Sequence, residues 1–117
     1  SLDRGEGFGL VPFEAGACGK PIIVTGIGGV LEYAKPENSF LVNFTMTPVF
    51  GMPQSPWYRG DQMWAEPDLK HAVECMRYVY ANREQANHTG EVLKQFISDN
   101  LTWEKVGGEM VHVLRSL

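Results

Sequence analysis

The sequence predicts an α/β fold: a partial parallel sheet flanked by helices, with a helical C-terminal third. Three observations predict it. Pro21-Ile22-Ile23-Val24-Thr25 is a short apolar, β-branched run of the kind that enters a strand covered on both faces. It stands between helix-type punctuation and a glycine-rich turn. Downstream of Glu66-Pro67-Asp68, apolar residues recur at spacings of three and four in three successive stretches.

Taken in order, Pro12 suits a first helical position, because its missing N–H has no partner there anyway, and Gly19 followed by Pro21 suits a stop. A helix from Pro12 to Cys18 is expected. The strand Pro21–Thr25 follows, then a turn at Gly26, Gly28 and Gly29, one or two helical turns over Val30–Ala34, and a second short strand over Asn38–Val42. Between Asn43 and Glu66 the pattern breaks. Pro48, Pro53, Pro56, Gly51 and Gly60 alternate with Phe50, Trp57, Tyr58 and Trp64 without helical or strand period, which predicts a long loop. The expectation is an ordered insertion whose aromatics bury themselves, with a lid or partner contact as the alternative.

Leu69, Ala72, Val73, Met76, Val79 and Tyr80 predict a helix from Pro67 to about Ala81. Ala86, Leu93, Phe96 and Ile97 continue the period in a second helix. Trp103, Val106, Met110, Val113 and Leu114 give a third, with Thr102 as its N-cap.

Composition bounds the function. The chain has 117 residues, 44% apolar and 11% aromatic, enough for one packed domain. A net charge of -4 without a basic run argues against a nucleic-acid partner. No apolar stretch approaches the ~18 residues of a membrane span, and Ser1-Leu2-Asp3-Arg4 carries no signal-peptide pattern. Cys18 and Cys75 are too isolated for a disulfide framework, so a reduced, cytoplasmic chain is expected. Cys18 reads as a small buried thiol. His71, His88 and His112 read as surface residues of helices, and three Asn-x-Thr triplets as chance matches.

The chemistry concentrates in Gly5-Glu6-Gly7-Phe8-Gly9-Leu10-Val11-Pro12-Phe13-Glu14. Gly7 and Gly9 let backbone N–H groups approach a ligand just before a helix starts, and free N–H groups around Leu10 to Phe13 together with the helix dipole favour a phosphate or diphosphate. Glu14, expected in the first helical turn, has two acceptor oxygens that match a ribose diol, and Glu6 on the preceding loop would take sugar hydroxyls. Taken alone, Glu14 also reads as a helix-start residue stabilised by about 0.3–1 kcal/mol with no ligand.

Glu6-Gly7-Phe8-Gly9-Leu10, the seven residues between Glu6 and Glu14, Glu14-Ala15-Gly16-Ala17-Cys18-Gly19-Lys20-Pro21 and Gly28-Gly29-Val30-Leu31-Glu32 together resemble the C-terminal, donor-binding half of retaining nucleotide-sugar glycosyltransferases of the GT-B fold, the group 1 glycosyl transferases with the E-x7-E motif. Asn100-Leu101-Thr102-Trp103-Glu104-Lys105-Val106 is similar to the group's terminal helix. Only the Asn43–Glu66 loop departs from the pattern.

The resemblance implies a Rossmann-like sheet and a nucleotide-diphosphate sugar as donor, with no separate cofactor and no metal. It implies that Glu6 contacts the transferred sugar as the catalytic candidate, that Gly7, Phe8, Gly9 and Leu10 contact sugar and diphosphate, and that Glu14 holds the ribose. The base is often argued to be the departing phosphate. The resemblance also implies that residues 1–117 are part of a donor domain, inactive in isolation. The diphosphate-clamping basic residues and an N-terminal domain for a carbohydrate or lipid acceptor would lie upstream, and any membrane-surface association would depend on that part. Lys20 and Arg4 are not substitutes for the clamp. Two other readings stay open: a non-catalytic nucleotide-sugar-binding module, and a partner-binding domain that uses the aromatic loop.

Overall fold

The computed structural model describes residues 1–51, 55–58 and 60–117. The fold is mixed α/β, with two small sheets among the described residues and a helical C-terminal part. Strands β1 (Ile23–Thr25) and β2 (Phe40–Val42) pair in parallel with Val24 opposite Leu41. The crossover between them contains a 3-10 helix, Gly28–Glu32, tighter than and beginning two residues before the helical turns expected over Val30–Ala34. Ser1 runs beside β1: its amino group donates to the Ile23 carbonyl at 2.6 Å, and its own carbonyl accepts from the Thr25 N–H at 3.1 Å.

Helix α1 spans Leu10–Ala17, beginning two residues before the expected start. Gly9 adopts φ 78°, a left-handed conformation open to glycine, and its carbonyl accepts from the Phe13 N–H at 3.0 Å. Pro12 is thus the third helical residue, still within the turn whose N–H groups lack intrahelical partners, so it costs the helix no bond. Cys18 caps the far end and is exposed, correcting the expectation of a buried thiol. The position past the last helical residue carries its side chain off the packed face.

Helices α2 (Leu69–Ala81), α3 (Arg83–Asn100) and α4 (Trp103–Ser116) follow the expected period. Pro67 ends a strand rather than starting α2; Asp68 is the N-cap, accepting from the His71 N–H at 3.0 Å. Thr102 caps α4 as expected, through the Lys105 N–H at 3.3 Å. The apolar core joins Ile22, Val24, Val30, Tyr33 and Ala34 to Leu93 and Ile97 of α3, with Phe8 and Phe13 packed against them. Gly16 of α1 faces Leu93 and Ile97 at this contact. α4 forms as a helix but buries none of its residues, so its stripe is exposed among the described residues, as are Met76 and Tyr80 of α2.

The stretch Asn43–Glu66 is where the sequence expectation fails. It contains an antiparallel pair, β3 (Phe44–Pro48) and β4 (Met63–Pro67), with Met46 opposite Ala65. The hairpin closes at its neck, where the Asp68 N–H donates to the Asn43 carbonyl at 2.7 Å. His71 supports the same point: its Nδ1 accepts from the Asn43 N–H at 3.0 Å, so this histidine is a structural hydrogen-bond partner rather than a bare surface residue. The aromatics do not bury themselves. Phe50, Trp57 and Tyr58 are exposed, and only Trp64 is half-buried. Pro53 lies outside the described residues.

Candidate functional site

The loop 5–9 reaches α1 across the crossover glycines. The Gly29 N–H donates to the Glu6 carbonyl at 3.0 Å, and a Cβ on Gly29 would fall inside the contact radius of the Gly7 carbonyl oxygen. Gly28, at φ 80°, would place a Cβ 2.7 Å from the Glu6 carbonyl oxygen. Side chains at these two positions would push the loop away from the sheet, so the glycines set the position of Glu6.

Tyr33 fixes the other end of the loop. Fully buried, it donates from its hydroxyl to the Gly9 carbonyl at 2.7 Å, so that this oxygen accepts from both Tyr33 and Phe13. Its ring packs edge-on against Phe8 and Phe13, each with centroids 5.3 Å away. Burial pushes the phenol up to about 12, with the negative charges of Glu6 and Asp3 adding to the shift. The hydroxyl is therefore a neutral donor throughout the physiological range.

An open cleft of about 530 Å³ is lined by Ser1, Asp3, Glu6, Phe8 and the start of α1 from Gly9 to Pro12. Glu6 and the α1 N-terminus thus share one cleft. The Glu6 carboxylate sits half-buried there and accepts weakly from the Phe8 N–H at 3.4 Å. The first N–H groups of α1, on Leu10 and Val11, have no acceptor within the helix. The expected set is smaller than Leu10 to Phe13, because Pro12 has no N–H and Phe13 bonds to Gly9.

Glu14 is the fifth helical residue, not a first-turn residue, since α1 begins at Leu10. It is exposed and does not line the cleft. It nevertheless stands one turn beyond Leu10, on the same helix face. Gly7 is exposed at the loop tip, and Leu10 is exposed at the cleft. Lys20 lies past the end of α1, and Arg4 is engaged elsewhere, bound to Glu66 through Nε at 2.5 Å and Nη2 at 2.9 Å. Neither joins the cleft with Glu6.

Residues 1–47 match the family model of the glycosyl transferases group 1. The matched segment holds the Glu6 loop, α1, both parallel strands and Tyr33, and ends within β3. No curated protein matches the chain. Two residues of this site were not expected from sequence: Tyr33, whose partner is 24 positions away, and Asp3, which reaches the cleft from the segment beside β1. The Glu32-Tyr33 pair next to Gly28-Gly29 was the only sequence signal near the first. Among the described residues, no helix is long and apolar enough to cross a membrane.

Proposed function

We propose that residues 1–117 supply the donor-binding part of a retaining glycosyltransferase that moves a sugar from a nucleotide diphosphate to a carbohydrate or lipid acceptor. The observation that carries this reading is the family match over residues 1–47, which covers the whole cleft lining. In this reading the sugar occupies the cleft with its hydroxyls on Glu6. The diphosphate meets the unpartnered N–H groups of Leu10 and Val11, where the helix dipole favours negative charge. The ribose then lies one turn along the helix, its diol on Glu14.

The sugar's C1–O bond to phosphate breaks with its electron pair passing to the diphosphate. The acceptor hydroxyl oxygen bonds to C1 from the same face, and its proton passes to the departing phosphate oxygen. Backbone donors aimed at that oxygen stabilise charge that develops as the bond breaks. Glu6 positions the sugar and needs no covalent step. Upstream basic residues and an acceptor domain complete the enzyme, which acts in the cytoplasm or at its membrane surface.

The test is sugar transfer by the full-length protein from UDP-, GDP- and ADP-sugars, with Glu6→Ala and Glu14→Ala compared. Unchanged transfer in both variants would refute the reading.

A further inference from the structure

The loop that carries Glu6 is held from two sides. On one, Gly28 and Gly29 receive it closely, with the Gly29 N–H on the Glu6 carbonyl. On the other stands the hairpin. The Ala65 N–H donates to the Arg4 carbonyl at 3.0 Å, so residue 4 runs along the edge of β4 that β3 does not use. Ala65 is fully buried, which makes this bond a fixed point. β4 lies wholly outside residues 1–47, the segment that matches the family model.

The Arg4 side chain completes the contact. Trp64 and Glu66 are two residues apart on β4 and share a face, so one guanidinium reaches both. Its Nε and Nη2 donate to the two Glu66 carboxylate oxygens at 2.5 and 2.9 Å, and its central carbon lies 4.6 Å over the Trp64 ring. A planar fork offers paired donors along its edge and a cationic face to a ring at once, which a lysine does not. An isolated ion pair this exposed contributes little. Here the fork, the ring and the backbone bond all act on one residue.

What they hold is the approach to Glu6. Gly5 alone separates Arg4 from Glu6, and among the described residues nothing lies within 4 Å of where its Cβ would stand, so the chain is free to turn there unless Arg4 is fixed. The Glu6 carboxylate accepts weakly, at 3.4 Å from the Phe8 N–H, so its place in the cleft depends on its backbone.

We infer that the hairpin is a brace for the donor loop, with Arg4 as the positioning residue through which Glu66 and Trp64 hold Glu6 at the cleft. The inference rests on the glycosyltransferase reading and adds to it which residues outside the cleft determine how the sugar is held. The test is calorimetry on the full-length protein with UDP-, GDP- and ADP-glucose and their free nucleoside diphosphates as probes, comparing Arg4→Ala and Glu66→Ala. Both variants remove the fork and keep the backbone bond to Ala65.

For the nucleotide sugar that the wild type binds, the dissociation constant should rise at least fivefold in each variant, while that of the matching nucleoside diphosphate stays within twofold. In a Glu6→Ala background, Arg4→Ala should change it by less than twofold, because Arg4 acts through Glu6. Exchange of the Gly29 amide hydrogen should be at least fivefold faster in both single variants, with the Ala34 amide, bonded to the Val30 carbonyl in the core, unchanged. Nucleotide-sugar affinity unchanged in both variants, or the same loss with and without Glu6, would overturn the brace and leave the donor reading standing. If the wild type binds none of the probes, the donor reading fails and the brace's role in holding the sugar falls with it.

Discussion

The Tyr33 hydroxyl holds the Gly9 carbonyl at 2.7 Å from a fully buried position, so one side chain on the crossover fixes where the first helix begins. Tyr33→Phe keeps the ring packing and removes the donor, leaving Gly9 with Phe13 alone. A loss of about 1–2 kcal/mol in stability is expected, measured by urea unfolding, because a buried hydrogen bond is lost and its acceptor is left half-satisfied. No change would mean that the bond does not anchor the loop.

The same phenol gives a pH dependence on the alkaline side. Its folded value is raised to about 12 from an ordinary value of 10.0, so the folded state holds the proton more tightly than the unfolded chain. Its contribution is complete below pH 10 and is lost as pH rises through 12. Unfolding curves across that window should steepen for the wild type relative to Tyr33→Phe, and parallel curves would contradict the assignment.

Gly29→Ala should damage the loop rather than the core. Its Cβ would collide with the Gly7 carbonyl, a backbone atom that yields only if the Glu6 loop moves outward. A stability loss of about 1–3 kcal/mol is expected from the overpacking. Donor affinity should fall at least tenfold, read by titration with the nucleotide sugar that the wild type binds. Retained donor affinity would separate the loop's position from the ligand.

Glu6→Ala and Glu14→Ala should each lower transfer by the full-length protein tenfold or more. They should differ in kind. Glu6→Ala should reduce kcat/KM with the nucleotide's own affinity preserved, whereas Glu14→Ala should weaken binding of the free nucleoside diphosphate, measurable by calorimetry. Equal nucleoside diphosphate affinity in wild type and Glu14→Ala would remove the ribose role.

Arg4 holds the Glu66 carboxyl below the ordinary carboxylate value through their hydrogen bond, and Glu66 in turn raises the Arg4 guanidinium. The sign follows: a depressed carboxyl contributes above its unfolded value of 4.5, and that contribution is lost as pH falls through the lower folded value. The stability gap between wild type and Glu66→Gln should therefore close on acidification below pH 4.5. A constant gap in urea melts from neutral to strongly acidic pH would show that the pair does not dock the hairpin. Both groups are exposed, so the effect should also shrink in salt.

The parallel pair was legible because Pro21–Thr25 and Asn38–Val42 pack into a core, and burial writes itself into sequence as apolar, β-branched runs. The hairpin was not. β3 is largely exposed along Phe44-Thr45-Met46, and the most deeply buried position of β4 is Ala65, too small to register as a hydrophobic beat. The segment joining them also lacks the two-residue turn that announces a hairpin. The α4 period predicted a helix correctly but said nothing about what covers its stripe, since periodicity reports a face and not a neighbour. At the site, the Glu6 loop and its approach to a helix start were readable from Gly7 and Gly9. The two-residue shift that takes Glu14 out of the first turn was not, because the helix begins where Tyr33 holds Gly9, a tertiary contact invisible to local spacing.

The single bond between Asn43 and Asp68 has a consequence for how such a chain diversifies. The polypeptide leaves β2 at Asn43 and enters α2 at Asp68 at touching points, so the hairpin is inserted at a closed neck and tied to the preceding segment through Arg4. Lengthening or replacing its outer half costs only loop-closure entropy, about 0.6 kcal/mol per doubling. It leaves the register of Ile23 with Phe40 untouched. Grafting another tip between Val49 and Gln62 would then leave the parallel pair and its core unaltered.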